Sequence, residues 1–207
     1  MSQLKLTADG GGGTVSLKGP ASTTGNAAIE LTVPGTGSST LATTATAGKI
    51  LQVVQTVKTD ASSFYSNNTN TFVDWTGLSV SITPTSSSSK VLVMFTVSIG
   101  PASGGTVHVR LVRDSTNLVI GDSGGGSRLS STILHRPASS PYSLNIAPLS
   151  YTYLDSPNTT SSTTYKLQGT LGASYQYTYY INRSASDADA DYGGRVTSTI
   201  TAMEVAA

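Results

Sequence analysis

Residues 78–100 read LSVSITPTSSSSKVLVMFTVSIG, and their alternation decides the fold class. Leu78, Val80 and Ile82 fall on one side of an extended chain and Ser79, Ser81 and Thr83 on the other, the pattern of a strand with one wet face. Thr83 and Pro84 end it, a run of serines makes the turn, and the alternation resumes with Val91, Val93, Phe95, Val97 and Ile99. Leu92 and Met94 make the opposite face of this second strand apolar as well. It is therefore expected at the centre of a sheet, buried on both sides for half its length.

Similar runs extend in both directions: 49–58 (KILQVVQTVK), 106–114 (TVHVRLVRD), 117–121 (NLVIG), 131–136 (STILHR), 143–155 (SLNIAPLSYTYLD), 164–171 (TYKLQGTL), 175–183 (YQYTYYINR) and 196–205 (VTSTITAMEV). In 106–114, Val107, Val109 and Leu111 are expected inward and His108 and Arg110 toward solvent, while residues 60–70 read as a polar loop. Roughly ten strands at spacings of about 8–15 residues, with no helical period, predict an all-β chain whose residues 48–207 form an antiparallel jelly roll or β-sandwich. Residues 1–47 differ. Their apolar clusters (LKLTA, TVSLK, AAIELTV) alternate but are short and separated by Gly, Ser and Thr, too little to close a core alone. They read as a short β attachment or stalk segment.

The composition agrees. Charged residues make up 11% and hydrophobic residues 37% of the 207, against about 25% and 45–50% in ordinary globular domains. Ser and Thr, roughly 30% of the chain, cover the surface instead, and threonine suits a pleated one. A net charge of +1 provides no field to collect nucleic acid or anionic lipid, so neither is an expected partner. No cysteine is present, which excludes disulfides and thiolate metal sites. The opening MSQLKLTADGGGG lacks the basic and apolar regions of a secretory leader and reads as mature protein. No apolar run approaches the ~18 residues of a membrane-spanning helix, so membrane insertion is not expected.

Chemistry-bearing residues are sparse. His108 and His135 lie 27 residues apart without metal-ligand spacing. Gly121 to Ser127, GDSGGGS, contains a protease-like Gly-Asp-Ser-Gly but reads as a loop whose glycines supply positive φ. Glutamate occurs only at Glu30 and Glu204, so paired acid and base carboxylates would have to come from the few aspartates. No catalytic residues and no cofactor are expected. Asp187, Asp189 and Asp191 repeat at the spacing of the first calcium-loop ligands, but Tyr192 and Ser198 stand where that loop needs Gly and Glu. They are the weak metal candidates.

Eight of the ten tyrosines follow Ser150. Tyr175, Tyr177 and Tyr179 share a strand face near Asn182, an arrangement suited to a subunit interface, to core packing or to stacking against a sugar ring. These four residues are the candidate binding or interface set. Asn67, Asn158 and Asn182 also head N-x-[ST] sequons.

The ordered strings at 49–60 (KILQVVQTVKTD), 71–100 (TFVDWTGLSVSITPTSSSSKVLVMFTVSIG), 111–125 (LVRDSTNLVIGDSGG), 154–168 (LDSPNTTSSTTYKLQ) and 198–205 (STITAMEV) resemble the carboxy-terminal domain of marine and cyanobacterial phage tail-fibre or virion structural proteins. Residues 4–36 resemble the segments that lead such fibres. The resemblance implies a homotrimer on the exterior of a virion, with residues 1–47 joined to other virion proteins and a jelly-roll head that adheres to the host. A host-surface glycan is the ligand class in that role; a capsid fibre, cement or adaptor protein without receptor binding is the alternative. The resemblance carries no site motif, so no binding residue follows from it.

Overall fold

The computed structural model describes residues 4–7, 14–17, 49–66, 70–101, 105–136, 144–172, 177–191 and 193–207. The chain divides into two compact units, Met1–Ala47 and Gly48–Ala207. In the first, β1 (Leu4–Thr7) pairs antiparallel with β2 (Thr14–Leu17), Leu4 opposite Leu17.

The second unit is an antiparallel β-sandwich. Its strands are β3 (Ile50–Lys58), β4 (Ser62–Ser66), β5 (Val73–Ile82), β6 (Lys90–Pro101), β7 (Thr106–Arg113), β8 (Thr116–Leu118), β9 (Ile133–His135), β10 (Ala147–Asp155), β11 (Thr163–Gly172), β12 (Tyr177–Ile181) and β13 (Ser198–Val205). One sheet runs β3-β13-β6-β12-β4, with β10 on the other edge of β6; the second runs β5-β11-β7-β8, with β9 also on β7. As the alternation predicts, β6 is central. Val91, Val93, Phe95, Val97 and Ile99 are buried on its inner face, and its two edges pair with β10 along 91–99 and with β13 along 90–96.

Beyond β13, the same edge of β6 is taken up by β12, from Ile99 to Pro101. The chain thus leaves this edge of β6 after Ile181 and pairs with the same edge again from Thr199. Side chains close the sandwich on the β3 side: Thr56 Oγ1 donates to the Ser79 carbonyl at 2.7 Å and Gln52 Nε2 to the Thr83 carbonyl at 2.7 Å. Those bonds occupy one carbonyl of β5 and one just past its end that an open edge would leave to water or to another chain.

Two expectations change. The loop anticipated over 60–70 contains β4, which pairs with β12 and sends Phe64 toward the core. The strand anticipated from Leu78 begins at Val73, with a register shift against β11 between Lys166 and Gln168. Gly77, at φ +82°, sits in that irregularity. The extra residues let Trp75 and Leu78 both point inward although three positions apart, which strict alternation forbids.

Candidate functional site

The tyrosine-rich strand is built into the core. Tyr179 is 1% exposed; its ring stacks on Phe64 at 5.5 Å and tilts against Trp75 at 5.8 Å. The Trp75 indole N–H donates to the Tyr179 hydroxyl at 3.0 Å. Burial pushes the Tyr179 phenol up to about 12, with the indole donor acting the other way. The Trp75 indole packs against Gly169, where a Cβ would stand 2.0 Å from Cζ2, and so a glycine interrupts a core strand. Tyr179 is therefore not a surface binding residue. Tyr177 pairs through its backbone with Ser66, and its side chain lies outside the described residues, as does Tyr175 altogether.

Asn182 is fully buried and stands where β12 hands the edge of β6 over to β13. Its Nδ2 donates to the carbonyls of Lys58 at 2.8 Å and Asp60 at 3.0 Å. Its Oδ1 accepts from Ser198 Oγ at 2.5 Å, and its backbone N–H donates to the Ser98 carbonyl at 2.9 Å. Its φ of +64° is one that asparagine tolerates better than most residues. This side chain ties the end of β3 to the β12–β13 junction; it is a structural hub and neither a glycan contact nor, in the folded unit, an accessible sequon. Of the other sequons, Asn158 is exposed and Asn67 lies outside the described residues.

The aspartates of 187–191 do not converge. Asp187 ion-pairs with Arg195 and, at 3.6 Å, with Arg183, and among the described residues no cluster of three or more His, Asp or Glu side chains could hold a metal. The alternating spacing that suggests a calcium loop places Asp187 between two guanidiniums instead.

His108 corrects another expectation. It points away from the core as the alternation requires, yet it is only 8% exposed, because residues 119–132 fold back over β7. Its Nδ1 meets Ser131 Oγ at 3.1 Å, and Nε2 lies against Gly172, where a Cβ would stand 2.6 Å away. Burial, with the Arg110 charge beside it, holds its pKa below the usual histidine range. This serine–histidine contact is separate from the Gly-Asp-Ser-Gly stretch, and the ring's second nitrogen faces strand backbone where a catalytic triad needs a carboxylate. Arg110 is drawn in too, donating to the Ser130 carbonyl at 2.9 Å with its guanidinium 3.6 Å above the Phe72 ring. Gly125 and Gly126 have positive φ in the exposed loop, the role expected of those glycines.

Two buried acids absent from the candidate set hold the sandwich together. Asp155 on β10 accepts from Arg113 and from the Tyr165 hydroxyl, each at 2.7 Å, linking the two sheets; burial and this carboxylate raise the Tyr165 phenol far above its ordinary value. Glu204 accepts from Gln52 Nε2 at 2.7 Å and from the backbone N–H and hydroxyl of Thr85 at 2.8 and 2.7 Å. Burial alone would push its carboxyl up, but the Gln52, Thr85 and Ser89 donors outweigh it and hold it down at about 2. Single acidic residues far apart in sequence carry no spacing signal, so only the fold exposes these roles.

No family model matches the sequence, and no curated protein matches it either. Among solved structures the chain is similar to one in the structure of infectious bursal disease virus Gt strain, at 14% identity and a TM-score of 0.40, over 86% of this chain and 43% of that one. The chain thus spans less than half the length of that protein, and a likeness of this size carries no argument about function.

Proposed function

We propose that the chain is a non-enzymatic structural component of a virus particle, a short homotrimeric bacteriophage tail fibre. In this reading residues 1–47 attach it to other particle proteins and the β-sandwich head is presented to the host surface. The observation that carries the reading is where the polar side chains are spent. The buried ones, Asn182, Asp155 and Glu204, each tie strands distant in sequence to one another. The outer face of the larger sheet is hydroxyl, amide and methyl, with little charge: a neutral surface suited to assembly. The resemblance of 49–60, 71–100, 111–125, 154–168 and 198–205 to phage fibre and virion proteins supports the particle.

Labelling of intact particles by antibodies to the purified chain tests this. Decoration of the particle exterior is expected, and purified particles that lack the chain would refute it. Binding of the purified chain to host cells or their lipopolysaccharide is expected for a receptor-binding fibre; decorated particles without such binding would overturn the adhesive part alone.

A further inference from the structure

The outer face of the larger sheet has a composition that its fold leaves unexplained. Val53 on β3 is opposite Met203 on β13, Met203 is opposite Leu92 on β6, and Leu92 is opposite Leu154 on β10. An apolar row therefore crosses four adjacent strands in register on the side away from the core. Val53 is 55%, Val57 49%, Leu51 47% and Leu154 45% exposed. The neighbouring rows are neutral: Gln55 Nε2 donates to Thr201 Oγ1 at 2.8 Å, and the Thr96 and Ser150 hydroxyls share a hydrogen bond at 2.9 Å. Lys90, at the corner, is the charge these rows carry.

We infer that this face, the outward side of β3-β13-β6-β10, is the contact by which copies of the chain assemble. The inference rests on the self-assembly reading above and names its surface. Charge selects the occupant. A nucleic acid or an anionic saccharide would set its charges against methyls and hydroxyls, whereas copies of this chain that turn the face toward a common three-fold axis bring the same neutral surface to one another, and interface cores are depleted in charge. Shape agrees, since small-molecule and saccharide sites are concave and an open sheet face is not. Area is sufficient: four strands about 4.8 Å apart, over eight residues at about 3.3 Å each, span roughly 500 Å² in projection. Side-chain relief brings the accessible area toward the ~800 Å² per partner of a standard interface. An edge strand such as β3 is also where proteins commonly place charge to prevent association, and its outward side carries Leu51, Val53 and Val57 instead.

The cysteine-free chain gives a clean test in the full-length protein. Val53→Cys places a single thiol on the face, and Leu134→Cys places one on the opposite sheet, where Leu134 is 52% exposed. The expected result is an oligomer in which a maleimide labels position 134 rapidly and position 53 at least about tenfold more slowly. Val53→Glu should weaken association at least about 100-fold, while Val53→Leu leaves it unchanged. Circular dichroism and Trp75 fluorescence that match the parent show that the glutamate variant folds. An oligomer with an open thiol at 53 would overturn the inference but leave self-assembly standing. A monomer with an open thiol would overturn both. A monomer with a shielded thiol would place a segment of the same chain on the face, and the inference would again fail.

Discussion

Replacing Asn182 separates the backbone from the side-chain part of the β12–β13 junction. In Asn182→Ala the buried Lys58 carbonyl loses the amide at 2.8 Å and the Asp60 carbonyl the one at 3.0 Å, at about 1–3 kcal/mol together. The Ser198 hydroxyl loses its acceptor, about 1 kcal/mol more, and alanine held at φ +64° adds roughly another 1 kcal/mol. The sum is about 4 kcal/mol, which at ~2–4 °C per kcal/mol for a unit of this size lowers the thermal midpoint by roughly 8–16 °C. Asn182→Gly should recover the backbone share, about 1 kcal/mol. Asn182→Asp is the sharper probe, because it keeps the shape and the Ser198 acceptor but turns a carboxylate oxygen toward two carbonyls; it should cost at least as much as alanine. Urea unfolding at fixed protein concentration, followed by fluorescence of the single tryptophan, measures all three. An aspartate variant within about 0.5 kcal/mol of the parent, the range of surface substitutions, would refute the hub.

Gly169→Ala forces a methyl onto the indole of Trp75 and should cost about 1–3 kcal/mol or more by overpacking, while Tyr179→Phe orphans the Trp75 N–H for about 1–3 kcal/mol; the same urea titrations read both. Glu204, held near 2 in the folded chain against an ordinary value of 4.5, makes the unfolded state bind its proton first. Its contribution is complete above about pH 4.5 and is lost as pH falls toward 2, so Glu204→Gln should flatten the slope of stability between those limits. Tyr179 has the opposite sign: its folded pKa lies above the unfolded value of 10.0, so its share of stability is present below pH 10 and fades as pH rises toward 12, a slope absent from Tyr179→Phe. Calcium in the millimolar range should move the thermal midpoint by less than about 1 °C, since without a bound site there is no linkage; a larger, saturable shift would restore the Asp187, Asp189 and Asp191 site.

Alternation alone located β6, its central place and most of its neighbours, because its inward set Val91, Val93, Phe95, Val97 and Ile99 is long and regular; burial on both sides, expected from Leu92 and Met94, is not met, since the sandwich covers one face and leaves those two half-buried on the other. It could not say which face of 175–182 is interior. Three tyrosines at spacing two define a shared side, and only the pairing of β12 with β4 turns Tyr179 onto Phe64 and Trp75. β4 itself, SSFYS, is too short and too polar to carry a period. Trp75 and Leu78 defeat the rule through the irregularity at Gly77. His108 obeys the rule, but the covering loop that buries it comes from residues more than ten positions away, beyond the reach of any local pattern.

The mass of the full chain in solution, measured by sedimentation equilibrium across a range of concentrations, tests the central claim most directly. A self-assembling fibre head predicts three times the chain mass of 21.2 kDa, falling to one chain mass in Val53→Glu. A parent protein that stays at 21.2 kDa at every concentration would contradict it.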